Sequence, residues 1–222
     1  MKKLLLFDID NTLITGTHDN RFERAIGNLH GLETNLEGDF QGYTDYLILA
    51  ALLKSEGWNE SQIEETMPKL LEELDAVHAS TFQADSIKIL PGVRDLLEAL
   101  KAKGCILGLI TGNLEVIAER KLAAVDIWKY FELGGYGSDP HSTRANLVSV
   151  AVKRAGYTDK MQNVYVVGDT ARDIQAAHDA GVENSVGVTN GFRDKQEFID
   201  ARAKIIFEDF MDTNQVLGEL GV

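Results

Sequence analysis

The chain has 222 residues, of which 44% are hydrophobic and 26% charged, a composition typical of a globular protein large enough for one domain with an insertion. Its 35 acidic and 22 basic residues give a formal net charge of −13 at pH 7, which argues against a nucleic acid or a membrane as the main partner, because both require a basic protein surface. A single cysteine excludes an internal disulfide framework, and no apolar run is long enough for a signal peptide or a membrane span. We therefore expect a cytoplasmic protein. As its oligomeric state we expect a monomer or a homodimer.

The first predicted strand is Leu4–Phe7, and it is followed by a long segment that has helical periodicity only. Apolar stripes at residues 46–53 and 63–77 predict helices that pack on one another, although Pro68 should kink or divide the second helix. We predict that residues 15–87 form an α-helical cap domain, with linkers at residues 15–17 and 84–91.

Strands and helices alternate after the cap, beginning with a helix that starts near Val93 and ends at Gly104. The next predicted strands are buried apolar runs at residues 105–111, 163–168, 185–189 and 204–207. This alternation predicts a parallel sheet that is covered on both faces. The fold class is therefore α/β: a Rossmann-like doubly wound core from residues 1–14 and 88–222, with the helical cap inserted after strand one.

Polar side chains follow three of these strands at their carboxyl ends. The groups are Asp8 with Asp10, Thr111 with Gly112 and Asn113, and Asp169 with Asp173. Because the carboxyl ends of parallel strands share one edge of a sheet, four carboxylates and a threonine should converge there. Clustered carboxylates either hold a proton or bind a cation at neutral pH, and ligands that are all oxygen suit Mg²⁺.

Three motifs carry a family resemblance: FDIDNTL at residues 7–13, ITGN at 110–113 and VGDTARDI at 167–174. With these motifs the sequence resembles the haloacid dehalogenase-like superfamily, in its phosphatase branch, and is similar to phosphoglycolate phosphatases with a helical cap. The resemblance implies a Mg²⁺-dependent phosphatase that hydrolyses a small-molecule phosphomonoester through an aspartyl-phosphate intermediate.

The resemblance also implies residue roles. Asp8 would be the nucleophile, and Asp10 would be the general acid and then the general base. Asp8, Asp169 and the backbone carbonyl of Asp10 would bind Mg²⁺, and Asp173 would bind it directly or through water. Thr111, Gly112 and Asn113 would hold the phosphoryl oxygens.

Two positions depart from the family pattern. Arg144 stands where a lysine is usual and would contact both the nucleophile and the phosphate; the alternative is an exposed arginine in the first turn of a helix. Asn11 replaces a common glycine in a turn that asparagine tolerates. His141 is either a second phosphate contact or a surface histidine. Arg21 and the turn at residues 42–45 are candidate leaving-group contacts, although Thr44 or Asp45 could simply cap a helix.

Other functions remain as alternatives. Dehalogenases lack the acidic residue two positions after the nucleophile, so Asp10 favours phosphate chemistry. A phosphomutase similar to beta-phosphoglucomutase would keep Asp10, and the sequence leaves this alternative open. A non-enzymatic phospho-receiver or binding protein is a remote alternative, because receivers have adjacent acids after strand one and phosphorylate an aspartate on a later strand.

Overall fold

The computed structural model describes residues 2–16, 20–35, 40, 42–139 and 143–222. The strands among these residues are β1 (Leu4–Phe7), β2 (Ile14–Thr15), β3 (Lys88–Ile89), β4 (Ile106–Thr111), β5 (Leu133–Tyr136), β6 (Val164–Gly168), β7 (Asn184–Val188) and β8 (Ile205–Phe207). The helices are α1 (Arg21–His30), α2 (Asp45–Ser55), α3 (Glu60–Thr81), α4 (Val93–Ala102), α5 (Glu115–Ala124), α6 (Arg144–Arg154), α7 (Ala171–Asp179), α8 (Lys195–Asp200) and α9 (Thr213–Leu220). None of the helices in these ranges is both long and apolar enough to cross a membrane.

Six strands form one parallel sheet in the order β5-β4-β1-β6-β7-β8. The chain builds β4 and β5 on one side of β1, and then β6, β7 and β8 on the other. The strand order therefore reverses at β1, and a crevice opens at the carboxyl ends of β4, β1 and β6, where α/β sheets bind ligands. The predicted Rossmann-like parallel core is confirmed.

The two faces of the sheet bury separate apolar clusters. Leu5 and Phe7 of β1 belong to the cluster on the α4 side, whereas Leu4 and Leu6 belong to the cluster with α6 and α7. Because side chains alternate between the faces of a strand, a strand covered on both sides is continuously apolar. The uninterrupted apolar run of β1 is therefore typical of a central strand.

Helices α1, α2 and α3 share a third apolar cluster, which includes Ile26, Leu49 and Leu70 and extends to Ile117 of α5. The predicted helices at residues 46–53 and 63–77 are confirmed, but Pro68 does not divide α3, which continues through it. Helix α1 was not predicted.

Short strands lie at both expected linkers: β2 overlaps the first at Thr15, and β3 lies within the second. β2 and β3 pair antiparallel, with Ile14 opposite Ile89 and Thr15 opposite Lys88. Each strand has only two residues, too few for a periodicity that a sequence could show. We propose that this ribbon joins the core to a cap that spans residues 15–87.

Strand β5 was not predicted, because its sequence LGGY contains two glycines, which are poor strand formers. The structure gives Gly135 a packing role: a Cβ atom there would lie 2.1 Å from the backbone oxygen of Leu147 in α6. The helix backbone therefore packs directly on the strand, and only glycine leaves the space.

We expect Gly135→Ala to lower the free energy of unfolding by roughly 2 kcal/mol, because α6 must move away from the sheet. The matched control is Gly218→Ala in α9, where an added Cβ meets nothing within 4 Å; helix propensity should make that change neutral or stabilising by about 0.5 kcal/mol. Urea unfolding of both variants measures the two free energies of unfolding. Equal values for the two variants would contradict the packing role of Gly135.

Candidate active site

Three of the predicted carboxylates meet at the carboxyl edge of the sheet. Asp8 follows β1, Asp169 follows β6, and Asp173 lies in the first turn of α7; one oxygen of each lies within 4.8 Å of the others. All three residues are buried. The convergence predicted from topology is therefore found in the structure. The side chain of Asp10 does not belong to this cluster, which leaves only its backbone carbonyl for the metal role that the sequence assigned.

Arg144 connects two of these carboxylates from the first turn of α6. Its Nη2 donates to Asp8 Oδ1 at 2.6 Å, and its Nε donates to Asp173 Oδ1 at 2.8 Å. Its side chain is only 11% exposed, so the alternative of an exposed surface arginine is wrong. A planar guanidinium suits this geometry, because it offers several donors in fixed directions.

Asp173 is also fixed by the start of its own helix. The backbone N–H and the hydroxyl of Thr170 donate to Asp173 Oδ2 at 3.0 and 2.7 Å, and the N–H of Asp173 donates to the Thr170 hydroxyl oxygen at 3.3 Å. This reciprocal pairing is a capping box. It holds one carboxylate of the cluster rigidly before any ligand binds.

The cluster is electrostatically unfavourable by itself. Burial raises the pKa of Asp8, and the charges of Asp173 and Asp10 add to this effect, while Arg144 opposes it. Burial and the charges of Asp8 and Asp173 likewise raise the pKa of Asp169. A divalent cation would offset both effects. Three clustered carboxylates are a set of hard oxygen donors, so the residues fit such an ion.

The turn after β1 adopts the unusual backbone conformation that was expected at Asn11. Asn11 has a φ of 60°, a left-handed conformation that asparagine tolerates better than most residues. Its carbonyl accepts a hydrogen bond from Asn190 Nδ2 at 2.7 Å. The turn between Asp8 and β2 is therefore anchored to the loop after β7.

The loop after β4 is held by its own side chains. Thr111 is fully buried, and its Oγ1 accepts hydrogen bonds from the backbone N–H and the Nδ2 of Asn113, at 3.2 and 2.8 Å. The carbonyl of Gly112 accepts from the backbone N–H of Asp45 at 2.8 Å, and a Cβ on Gly112 would lie 2.2 Å from the carbonyl oxygen of Tyr43. The cap backbone thus packs directly on this loop.

Asp10 turns toward α5 and contacts Lys121, a residue that the sequence reasoning missed. Lys121 Nζ lies 3.1 Å from Asp10 Oδ1 and 3.0 Å from Oδ2, and Asn113 Nδ2 donates to Asp10 Oδ2 at 2.8 Å. Burial alone would raise the pKa of Asp10, but Lys121 and the hydrogen bond from Asn113 outweigh it and lower this pKa to about 2. Asp10 is therefore ionised at neutral pH in the ligand-free protein.

The sequence contains a pattern that could have identified Lys121 as a functional residue. It occupies one position of an otherwise apolar helical stripe, which consists of Leu114, Ile117, Ala118, Lys121 and Leu122. A lysine on the buried face of a helix requires a partner, because an unpaired buried charge is costly.

The cluster opens into a cavity of about 220 Å³ between the core and the cap residues. Arg21, Tyr43 and Asp45 line it from the cap side, and Arg21 pairs with Asp45 at 3.3 Å. Thr44 caps α2 by accepting from the N–H of Leu47 at 3.2 Å, as expected. The turn therefore starts a helix and also borders the cavity.

One further cationic side chain borders the site. Arg193, which the sequence reasoning missed, lines the cavity and places Nη2 3.4 Å from Asp169 Oδ2. His141, named as a possible phosphate contact, lies outside the described residues.

Comparison with known proteins gives a family and a fold. The family described as haloacid dehalogenase-like hydrolase matches residues 2–181. A phosphoglycolate phosphatase from Shigella boydii serotype 4 (strain Sb227) is 33% identical over 159 residues, which cover 69% of this chain and 61% of that protein. The chain spans between 51% and 61% of the length of the curated relatives it matches first.

Solved structures show the same fold over the whole chain. A hydrolase from Pseudomonas syringae has a TM-score of 0.72 at 23% identity and covers 99% of each chain. A beta-phosphoglucomutase from Clostridium difficile has a TM-score of 0.73 at 17% identity and covers 100% of this chain and 98% of that chain. At these identities the likeness concerns the fold alone.

The raised pKa values predict how stability depends on pH. A carboxyl whose pKa is higher in the folded state binds more protons there than in the unfolded chain, so it stabilises the fold at low pH and loses this contribution as pH rises through the raised pKa. In the presence of a chelator, we expect the melting temperature to fall as pH rises from about 5 to about 9, because Asp8 and Asp169 become charged.

Thermal unfolding at several pH values, with and without Mg²⁺, checks this expectation. A bound cation should make the melting temperature depend less on pH. The control Asp169→Asn removes one of the repelling charges. In chelator it should also reduce the fall of the melting temperature with rising pH. If Mg²⁺ did not change the pH dependence of the wild-type melting temperature, the metal assignment would be contradicted.

Proposed function

The chain belongs to the haloacid dehalogenase-like hydrolases, and we propose that it is a magnesium-dependent phosphatase that hydrolyses a small-molecule phosphomonoester through an aspartyl phosphate on Asp8. The observation that carries this proposal is the buried Asp8 carboxylate, held by Arg144 beside Asp169 and Asp173. The names of the curated relatives support the phosphomonoester class.

Asp8, Asp169 and Asp173 would hold the metal, together with the backbone carbonyl of Asp10. When bound, Mg²⁺ supplies positive charge that offsets the repulsion between a carboxylate nucleophile and an anionic phosphate. Arg144 adds a second, permanent positive charge at the nucleophile, and it also orients Asp8 through the hydrogen bond to Oδ1.

In the first step, an oxygen of Asp8 forms a bond to phosphorus while the bond from phosphorus to the ester oxygen breaks. The leaving oxygen takes a proton from the protonated Asp10 and departs as an alcohol. Since Asp10 is ionised in the ligand-free protein, we infer that a substrate bound as its monoanion brings this proton into the site.

In the second step, water attacks the phosphorus of the aspartyl phosphate and gives a proton to Asp10, which is now a carboxylate. The bond between phosphorus and Asp8 breaks, and Asp10 passes the proton it took from water to the departing inorganic phosphate. This returns Asp10 to the ionised form of the ligand-free protein. The overall reaction consumes one ester and one water and yields one alcohol and one phosphate.

Thr111, Gly112 and Arg144 would hold the phosphoryl oxygens in both steps. Asn113, whose donors are engaged by Thr111 and Asp10, would contribute by orienting Thr111. The loop from Thr111 to Asn113 is suited to this role, because its internal hydrogen bonds leave it little freedom to rearrange. The cap residues above it, among them Arg21 and Tyr43, would contact the leaving group and keep bulk water out during the first step.

The direct test measures phosphate released from a panel of phosphomonoesters with Mg²⁺ and with a chelator. We expect turnover only with the metal, and Asp8→Asn should lower it by a factor on the order of 10⁴ or more, because no nucleophile remains. The matched control is Asp159→Asn, at an exposed position away from the site, and it should retain wild-type turnover.

The same assay separates the phosphatase from the mutase. A mutase returns the phosphoryl group to a sugar phosphate, so it would give an isomerised ester with little free phosphate. Undiminished activity of Asp8→Asn would remove the proposed nucleophile.

A further inference from the structure

Lys121 is buried at the wall of the cavity, beside the carboxylate that the proposed function uses as acid and base. Its side chain is 2% exposed, whereas that of Asp10 is 31% exposed. On the basis of the proposed function, we propose that Lys121 is a positioning residue, which fixes the Asp10 carboxylate in the orientation that delivers its proton to the leaving oxygen.

The ammonium group of Lys121 has its hydrogen-bonding capacity filled by protein atoms. It has three N–H donors, and three acceptors surround it: the two oxygens of Asp10, at 3.1 and 3.0 Å, and Asn113 Oδ1, at 2.8 Å. A lysine that is satisfied in this way has no donor left for a substrate. Its role is therefore exerted through Asp10.

Asn113 completes a closed arrangement of three side chains. Its Oδ1 accepts from Lys121, and its Nδ2 donates to Asp10 Oδ2 at 2.8 Å. The Asp10 carboxylate thus receives contacts on both oxygens from two different elements, α5 and the loop after β4. Rotation of the carboxylate would break at least one of these contacts, so its plane is fixed.

Packing alone does not account for the lysine. The other positions of its helical stripe are apolar and buried, and a methionine of similar length would fill the same space without a charge to desolvate. The charged group is explained by the carboxylate it faces. General acid catalysis depends on the position of the proton donor relative to the leaving oxygen, so a fixed carboxylate has a direct chemical use.

The test exploits a difference between leaving groups. An alkoxide leaves only with a proton, whereas 4-nitrophenolate leaves readily without one, so only the first depends on the orientation of Asp10. We expect Lys121→Met to lower kcat/KM for glycerol 2-phosphate by a factor on the order of 100 and to lower it for 4-nitrophenyl phosphate by less than about 5-fold. The ratio of the two values is insensitive to partial unfolding, because both are measured on the same preparation.

Two comparisons complete the design. Lys129→Met is the matched control at an exposed lysine, and it should leave the ratio unchanged. In an Asp10→Asn background, Lys121→Met should cause no further loss with glycerol 2-phosphate, because the two residues act as one unit. If Lys121→Met does not fold, Lys121→Gln should change the ratio in the same direction.

Two outcomes would overturn the positioning role: equal losses of kcat/KM with both esters, or a further loss in the Asp10→Asn background. Either outcome would indicate that Lys121 contacts the phosphate directly or has only a structural role. These outcomes differ from failure of the proposed function, in which the wild-type protein would release no phosphate from either ester in the presence of Mg²⁺.

Discussion

The structure depends on one electrostatic constraint, the convergence of buried carboxylates at the carboxyl ends of β1 and β6. Asp8, Asp169 and Asp173 lie within a few ångströms of one another, and burial raises the pKa of the first two. Arg144 compensates part of this repulsion from α6, on the sheet face that also carries α7. The remaining negative charge is what makes the site suitable for a divalent cation and an anionic ester.

Two carboxylates on the same turn have opposite electrostatic environments. The pKa of Asp8 is raised, chiefly by burial among other acids, while that of Asp10 is lowered because Lys121 and Asn113 outweigh the effect of burial. Groups of the same chemical type acquire different roles when their surroundings separate their pKa values. The side chains that make this difference are Lys121, Asn113 and Asp173. They come from α5, the loop after β4 and α7, all distant in sequence from the turn.

The proposed cap packs directly on the carboxyl edge of the sheet in this structure. The cap turn that precedes α2 contacts the backbone of Gly112, and Asp45 accepts from the N–H of Leu114 at 3.0 Å. The loop proposed to hold phosphate is therefore also the surface on which the cap rests. Any movement of the proposed cap would change the contacts of this loop, and would thereby couple access to the cavity with the geometry of the proposed phosphate site.

The sequence by itself determined the parallel α/β core and the identity of the clustered acids, because apolar runs that end in polar residues show both the strands and their shared edge. It also determined α2 and α3, because their apolar stripes have helical periodicity. It did not reveal β5, where one of the two glycines, Gly135, leaves space for the backbone of Leu147 in α6, a packing requirement that overrides strand propensity. It also did not reveal that Lys121 faces Asp10, since that pairing joins residues 111 positions apart. Only the tertiary structure decided these features, because each is a contact between elements that have no local pattern in common.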